Sequence, residues 1–221
     1  MLGLIGKTLR DLPRLRRAPA TELGSPLAAA GSDSAMIAAP TPLPPHHIVA
    51  SLLAGTRLLT RHGEVPVETL DSGQLVMSLG VGAHWRPVLR VVERLLQPSD
   101  IDGAPAERPI LIRAGALMAG SPMRDLHVAP GQGIWLEGMV VPADLLVNGV
   151  TILRERHDAP LPCHDVYMLE PVLLIADGAV VESGPGGEEG PGAAPLLLDG
   201  PALDAIRDRL GRRAREAAAM A

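Results

Sequence analysis

From residue 48 to residue 183 the chain repeats one local texture. Short runs of branched apolar residues are broken by turn signals at intervals of about ten residues. "RLLT" meets "RHGEV", "LVMSL" meets "GVG", and "PVLRVVERLL" meets "QPSDIDGAPAERP" before "PILIRAG" begins. "DLHVA", "IWLEG", "MVVPADLLVNG", "VTILRE" and "VLLIADGAVVES" follow in the same manner. Runs this short cannot complete stable helices, and branched residues fit a pleated surface, so the expected fold class is all-β. Only "PADLLVNG" and "AGALM" read as single helical turns. Alternating strand–helix units and a glycine-rich phosphate loop are both missing from the sequence.

The core of such a domain must be aliphatic. Hydrophobic residues make up 47% of the 221-residue chain, but aromatics only 1%: Trp85, Trp135 and Tyr167, with no Phe. Leu, Val, Ile, Ala and Met must fill the interior. The same scarcity excludes a stacking platform for single-stranded nucleic acid, and no nucleic-acid partner is expected. Cys163 is the single cysteine, which rules out an intramolecular disulfide and a cysteine-rich zinc site. Of the seven histidines only His46 and His47 are close in sequence, so neither a metal nor another cofactor is expected. A run of about 18 apolar residues, the length needed to span a bilayer, is absent. The opening "MLGLIGKTLRDLPRLRRAPA" places apolar residues before its charges, the reverse of a secretory signal. Integral membrane association is therefore not expected; the expected location is cytoplasmic, with secretion by a signal-independent route as the alternative.

The flanks differ in texture. Residues 1–17 carry leucines and Ile5 at roughly helical spacing with Lys7 and four arginines, interrupted by Pro13. This reads either as a basic amphipathic segment for a surface or partner, or as a solvated tail. Residues 18–45 are rich in Ala, Pro, Ser and Gly and read as linker, giving a flexible N-terminal region over 1–47. A Gly/Pro-rich linker is expected at 184–199. A helix follows over 200–221, with Pro201 in its first turn and Leu203, Ile206 and Leu210 as an apolar stripe. Its acidic residues lie early and its arginines late, as the helix dipole favours. It reads as an appended helix of marginal stability, or as a docking element for a protein partner.

Four blocks within residues 48–183 resemble the Hint superfamily, the fold shared by inteins and the autoprocessing part of hedgehog proteins. They are "GTRLLTRHGEVPVETLDSGQLV", "WRPVLRVVER", "RPILIRAGALMAGSPMRDLHVAPGQGIWLEGMVVPADLLVNG" and "IADGAVVES". The nearest pattern is that of bacterial domains opening with Cys-Phe-x-x-Gly-Thr. The resemblance implies a flattened, pseudo-two-fold β-domain whose first residue lies beside its last strands. It also implies chemistry. A thiol or hydroxyl at the first residue attacks the preceding carbonyl, turning an amide into a thioester or ester, while a histidine of the third block assists the departing nitrogen.

Carried over residue by residue, the family's first cysteine falls on Ser51, after Ala50, and its neighbouring Phe on Leu52. The third-block Ser-Pro-x-His reads Ala129-Pro130-Gly131-Gln132, which puts Gln132 in the histidine's place. The late Tyr-x-His lies near "LPCHDVY", where His164 matches with one residue of slippage; a second late histidine would fall near Pro171 or Val172. The first-block Gly-Asp reads Gly73-Gln74. A serine can undertake an N-to-O acyl shift, but its hydroxyl needs an adjacent base. An amide such as that of Gln132 cannot give a proton to a leaving nitrogen, and loss of a general acid costs about 10²–10⁴-fold in rate.

The expectation is thus a Hint-type protein with self-cleavage lost or strongly impaired and no turnover of an external substrate. The alternative is a slow domain that uses Ser51 to cut after Ala50. Ser51, Gln132 and His164 are expected around one cleft. Cys163 and His164, adjacent on a strand, are expected to point to opposite faces rather than form a dyad. His127 reads as structural, Arg124 and Asp125 as turn-fixing, and Asp177-Gly178 as a hairpin turn.

Overall fold

The computed structural model describes residues 51–80, 82–98, 108–185 and 192–219. The expectations for residues 1–47 lie outside the described residues. The architecture is a mostly antiparallel β-domain followed by one helix, in agreement with the all-β expectation. In chain order the strands are β1 (Ser51–Leu53), β2 (Arg57–Thr60), β3 (Gly63–Pro66), β4 (Leu75–Gly80), β5 (Gly82–Pro87), β6 (Arg90–Leu96) and β7 (Ile110–Ile112). Then come β8 (Leu126–Val128), β9 (Gly133–Leu136), β10 (Met139–Pro142), β11 (Ile152–Arg154), β12 (Leu161–Met168), β13 (Leu173–Ala176), β14 (Ala179–Glu182) and β15 (Gly184–Pro185). Helix α1 spans Pro201–Ala219. The expected turn in "PADLLVNG" is a 3-10 helix over Ala143–Leu146, and a second covers Val67–Thr69.

The strands form two sheets. One runs β11-β7-β8-β1-β12, with β6 and β15 also paired to β12; the other runs β10-β9-β14-β13-β2-β4-β5, with β3 on β2. Strand β1 is thus central in its sheet, bonded to β8 on one side and β12 on the other. Register is set by tight turns. Asp177 and Gly178, with φ of 46° and 80°, close the β13–β14 hairpin, the left-handed pair that a two-residue connection needs. Glu137 and Gly138 do the same for β9–β10, with φ of 52° and 89°. Asp177 also receives the Arg124 guanidinium at 2.7 Å, while the Asp125 carboxylate accepts the Ala114 amide at 2.8 Å. Both residues therefore brace the third-block loops. His127 lies on β8, its Nε2 3.1 Å from a Glu155 carboxylate oxygen.

The core is aliphatic throughout. Leu52, Leu58, Ile110, Ile112, Leu126, Val128, Ile134, Val166, Met168 and Val181 are all buried, and Trp85 lies outside the core at 38% exposure. The main cluster continues into α1 through Leu203, Ile206 and Leu210. Here the structure corrects the reading of the tail. The stripe of α1 does not face a partner, nor is the helix a loose appendage: Leu203, Ile206, Leu210 and Ala214 are buried in the domain's own core. Arginines on its flanks donate to loop carbonyls: Arg207 to Leu145 at 2.7 Å, Arg209 to Leu117 at 3.3 Å, and Arg213 to Gly115. The 184–199 stretch is likewise anchored where it is described. Gly184 pairs with Tyr167 in β15, and the Val140 amide and carbonyl bond Pro195 and Leu197 at 2.9 and 2.8 Å.

Candidate functional site

Strand β1 fixes where Ser51 can reach. Its antiparallel register on β12 sets Ser51 opposite Asp165, Leu52 opposite His164 and Leu53 opposite Cys163. Paired residues share a face, and the face alternates along each strand. Ser51, Leu53, Cys163 and Asp165 therefore lie on one side of the sheet, and Leu52 and His164 on the other. On the far edge of β12, β6 places Arg94 opposite Cys163 and Glu93 opposite His164. Arg94 joins the Ser51 side.

These residues form a closed polar network. The fully buried Ser51 donates its hydroxyl proton to Asp165 Oδ1. Arg94 donates to Ser51 Oγ from both Nε, at 3.0 Å, and Nη2, at 2.8 Å. Arg94 Nε also lies 3.3 Å from Asp165 Oδ1. A carboxylate this buried requires a cation and hydrogen bonds, and Asp165 has both. The Cys163 thiol donates to the Arg94 carbonyl at 3.4 Å and packs with Leu53, Leu96 and Ala129. Cys163 and His164 point to opposite faces, so they form no dyad.

Gln132 is tied to Ser51 through the backbone. The Ala129 amide donates to the Ser51 carbonyl at 3.0 Å, and the Gln132 amide donates to the Ala129 carbonyl at 3.0 Å. The Gln132 side chain turns elsewhere, its Nε2 donating to the carbonyls of Gly133 at 3.1 Å and Glu182 at 2.8 Å. Both protons of that NH₂ group are thereby engaged. Gly133 makes the close approach feasible: a Cβ there would lie 2.5 Å from Val140 Cγ1 and 3.2 Å from Glu182 Cβ. Glu182 itself is buried, and burial pushes its carboxyl above the usual carboxylate range, opposed by the Ala193 amide that donates to it at 2.6 Å.

His164 is not part of the Ser51 network. Its side chain is 6% exposed on the opposite face, with Nε2 3.7 Å from a Glu93 carboxylate oxygen and Nδ1 without a hydrogen-bond partner among the described residues. Burial works to raise the Glu68 carboxyl, but the Gly55 amide at 2.8 Å, together with His164 and Arg57, holds it below the usual range. The structure thus links Ser51 with Gln132 through Ala129 and turns His164 to the opposite face of the sheet from Ser51. The polar partners it adds, Arg94 and Asp165, were not singled out in the sequence. Asp165 carried one usable signal, its place two residues from Cys163 on the same strand face. Arg94 carried none, because in "VVERLL" it reads as an edge charge beside Glu93. Among the described residues no group of His, Cys, Asp and Glu is placed to hold a metal ion, and no helix is long and apolar enough to cross a membrane.

The fold and the arrangement around β1 define a hedgehog/intein-type β-domain. The chain belongs to the Hint domain family, whose model matches residues 50–187. Among solved structures the chain is similar to a bacterial intein-like domain from Clostridium thermocellum. That similarity runs at 15% identity and a TM-score of 0.47, covering 61% of this chain and 98% of that one. It is also similar to a DnaB intein from Synechocystis, at 9% identity and a TM-score of 0.43, covering 61% of this chain and 99% of the intein. No curated protein matches the sequence.

Proposed function

We propose that this protein is a Hint domain whose self-cleaving chemistry is silent, kept as a folded module. The observation that carries the reading is the engagement of Gln132. A domain of this class needs a group that protonates or polarises the scissile amide nitrogen. The residue at that position is an amide whose Nε2 donates to the carbonyls of Gly133 and Glu182. It neither titrates nor has a free proton to offer. His164, the other candidate for proton transfer, lies across the sheet from Ser51 and does not compensate.

A second reading, slow cutting after Ala50, draws support from one contact. Ser51 donates its proton to Asp165, so the hydroxyl has the adjacent base that serine chemistry requires. Intact-mass measurement of the freshly purified full-length chain at neutral pH separates the two. The silent reading expects one species of full mass for hours. A fragment beginning at Ser51 that accumulates without additives would overturn it and establish the slow-cutting reading.

A further inference from the structure

We infer that Arg94 is a lock on Ser51, a positioning residue that holds the hydroxyl in an unreactive state; this rests on the reading above that Ser51 occupies the family's first position. A serine hydroxyl has one proton and two acceptor lone pairs. The proton goes to Asp165, and Arg94 Nε and Nη2 approach the oxygen at 3.0 and 2.8 Å. The proton is thus held by Asp165, and the oxygen accepts a forked pair of N–H groups from the guanidinium, with Nε shared between Ser51 and Asp165. A nucleophile must offer its oxygen to the carbonyl carbon, and here that oxygen is held and its electron density drawn off by bonds from a cation, which are about twice as strong as neutral ones. Arginine suits this task better than lysine, because its planar fork can direct two N–H groups at one site. The backbone keeps the fork in place, since Arg94 sits opposite Cys163 on β6 and its carbonyl accepts the Cys163 thiol.

With the guanidinium removed, the remaining pair is a hydroxyl beside a carboxylate. Ser51 Oγ can then bond to the Ala50 carbonyl carbon while its proton passes to Asp165. The bond from that carbon to the Ser51 nitrogen breaks, and the proton moves from Asp165 to the freed amine. Added hydroxylamine attacks the resulting ester, forming a hydroxamate at Ala50 and returning the proton to Ser51 Oγ. Gln132 still supplies no acid, so the unlocked reaction stays slow and the trap is needed to read it.

The test compares the full-length wild type, Arg94→Met, Arg94→Lys and Arg94→Met/Ser51→Ala in neutral hydroxylamine, followed by intact mass over hours. Arg94→Met is expected to release the hydroxamate fragment about tenfold or more faster than the wild type, within the span of acid–base effects. Arg94→Lys should fall between them, because an ammonium keeps the charge but not the planar fork. The double variant should release nothing. A folded Arg94→Met that cleaves no faster than the wild type overturns the lock, as does equal release from the double variant. Where Arg94→Met gives no cooperative melt, Arg94→Lys carries the comparison, and release equal to the wild type overturns the lock. Rapid unaided cleavage of the wild type would instead overturn the lock and the silent reading together, so the two failures are distinguishable.

Discussion

Two buried carboxylates anchor two different segments of this domain, and they are stabilised in different ways. Asp165 holds the first described residue, Ser51, and is matched by the Arg94 guanidinium at 3.3 Å. Glu182 holds the segment that leads into α1, and among the described residues its side chain accepts from the Ala193 backbone amide, at 2.6 Å. The first is a charge with a cation and a hydroxyl; the second is a carboxyl pushed toward its neutral form by burial. The difference teaches what each anchor can do. Asp165 immobilises a reactive group through fixed charges, whereas Glu182 joins two pieces of backbone and is sensitive to pH. The segment leading into α1 is held by a backbone-to-carboxyl bond and then by the packing of the helix's buried stripe, whereas the Ser51 side chain is held by a charged network.

The largest effect should come from attacking that packing. Leu210→Ala removes a fully buried side chain of α1 from the main cluster, and such truncations cost about 2–5 kcal/mol. Denaturant unfolding of the full chain should show a single transition at a lower midpoint. A variant as stable as the wild type would mean that α1 is not part of the core in solution. At the other anchor, Arg94→Met leaves the Asp165 carboxylate without its cation. Hydrogen bonds to charged groups contribute about 1.5–3 kcal/mol, and the loss should be of that size. It should also persist in high salt, since a partly buried pair is weakly screened. An Arg94→Met cost that vanished in molar salt would place the pair at the surface and erase the contrast between the anchors.

Gly133 packs against the Glu182 anchor, and its carbonyl accepts from Gln132. Gly133→Ala forces a Cβ to within 2.5 Å of Val140 Cγ1, and overpacking of this kind costs about 1–3 kcal/mol. The same shift should loosen Gln132 from the Glu182 carbonyl. Slower exchange of side-chain amide protons at Gln132 is expected in the wild type, and faster exchange in the variant. Equal exchange rates would show that the amide is not held as described.

The residues that define the fold were legible for a physical reason: their signals are local. Alternating apolar runs, the Asp177-Gly178 turn and the stripe of α1 each declare themselves within a few residues, and so did the four blocks that resemble the Hint family. The polar site was only half legible. Ser51 and Gln132 stood out because they replace expected residue types at recognisable positions. Arg94 and Asp165 lie 43 and 114 residues from Ser51, and apart from the place of Asp165 beside Cys163 on one strand face nothing nearby marks them as its partners. His164 was visible in the sequence, but the face it takes relative to Ser51 was not, for a related reason. Alternation alone says that Cys163 and Asp165 share a face, yet which face meets Ser51 depends on the register of β1 against β12. The stripe of α1 was seen without its destination, because amphipathicity tells which side is apolar and not what covers it.

The smallest effect, and the sharpest test of the contrast, is the pH response of Glu182. Burial raises its carboxyl above the usual range in the folded chain, while in the unfolded chain it titrates normally. Between those two values the folded state binds more protons than the unfolded one, so stability falls as pH rises. The contribution is fully favourable below the unfolded value, lessens through the interval, and levels off once the folded carboxyl has ionised. Glu182→Gln keeps an acceptor for the Ala193 amide and removes the ionisation. The variant should therefore gain on the wild type in denaturant midpoint as pH is raised from about 4 toward 8, above the normal glutamate value. Asp165→Asn, by contrast, should lose stability, because it leaves the guanidinium without its counter-charge. A gap between Glu182→Gln and the wild type that stays constant with pH would show that Glu182 is ionised and compensated in the folded chain, and the two anchors would then be alike.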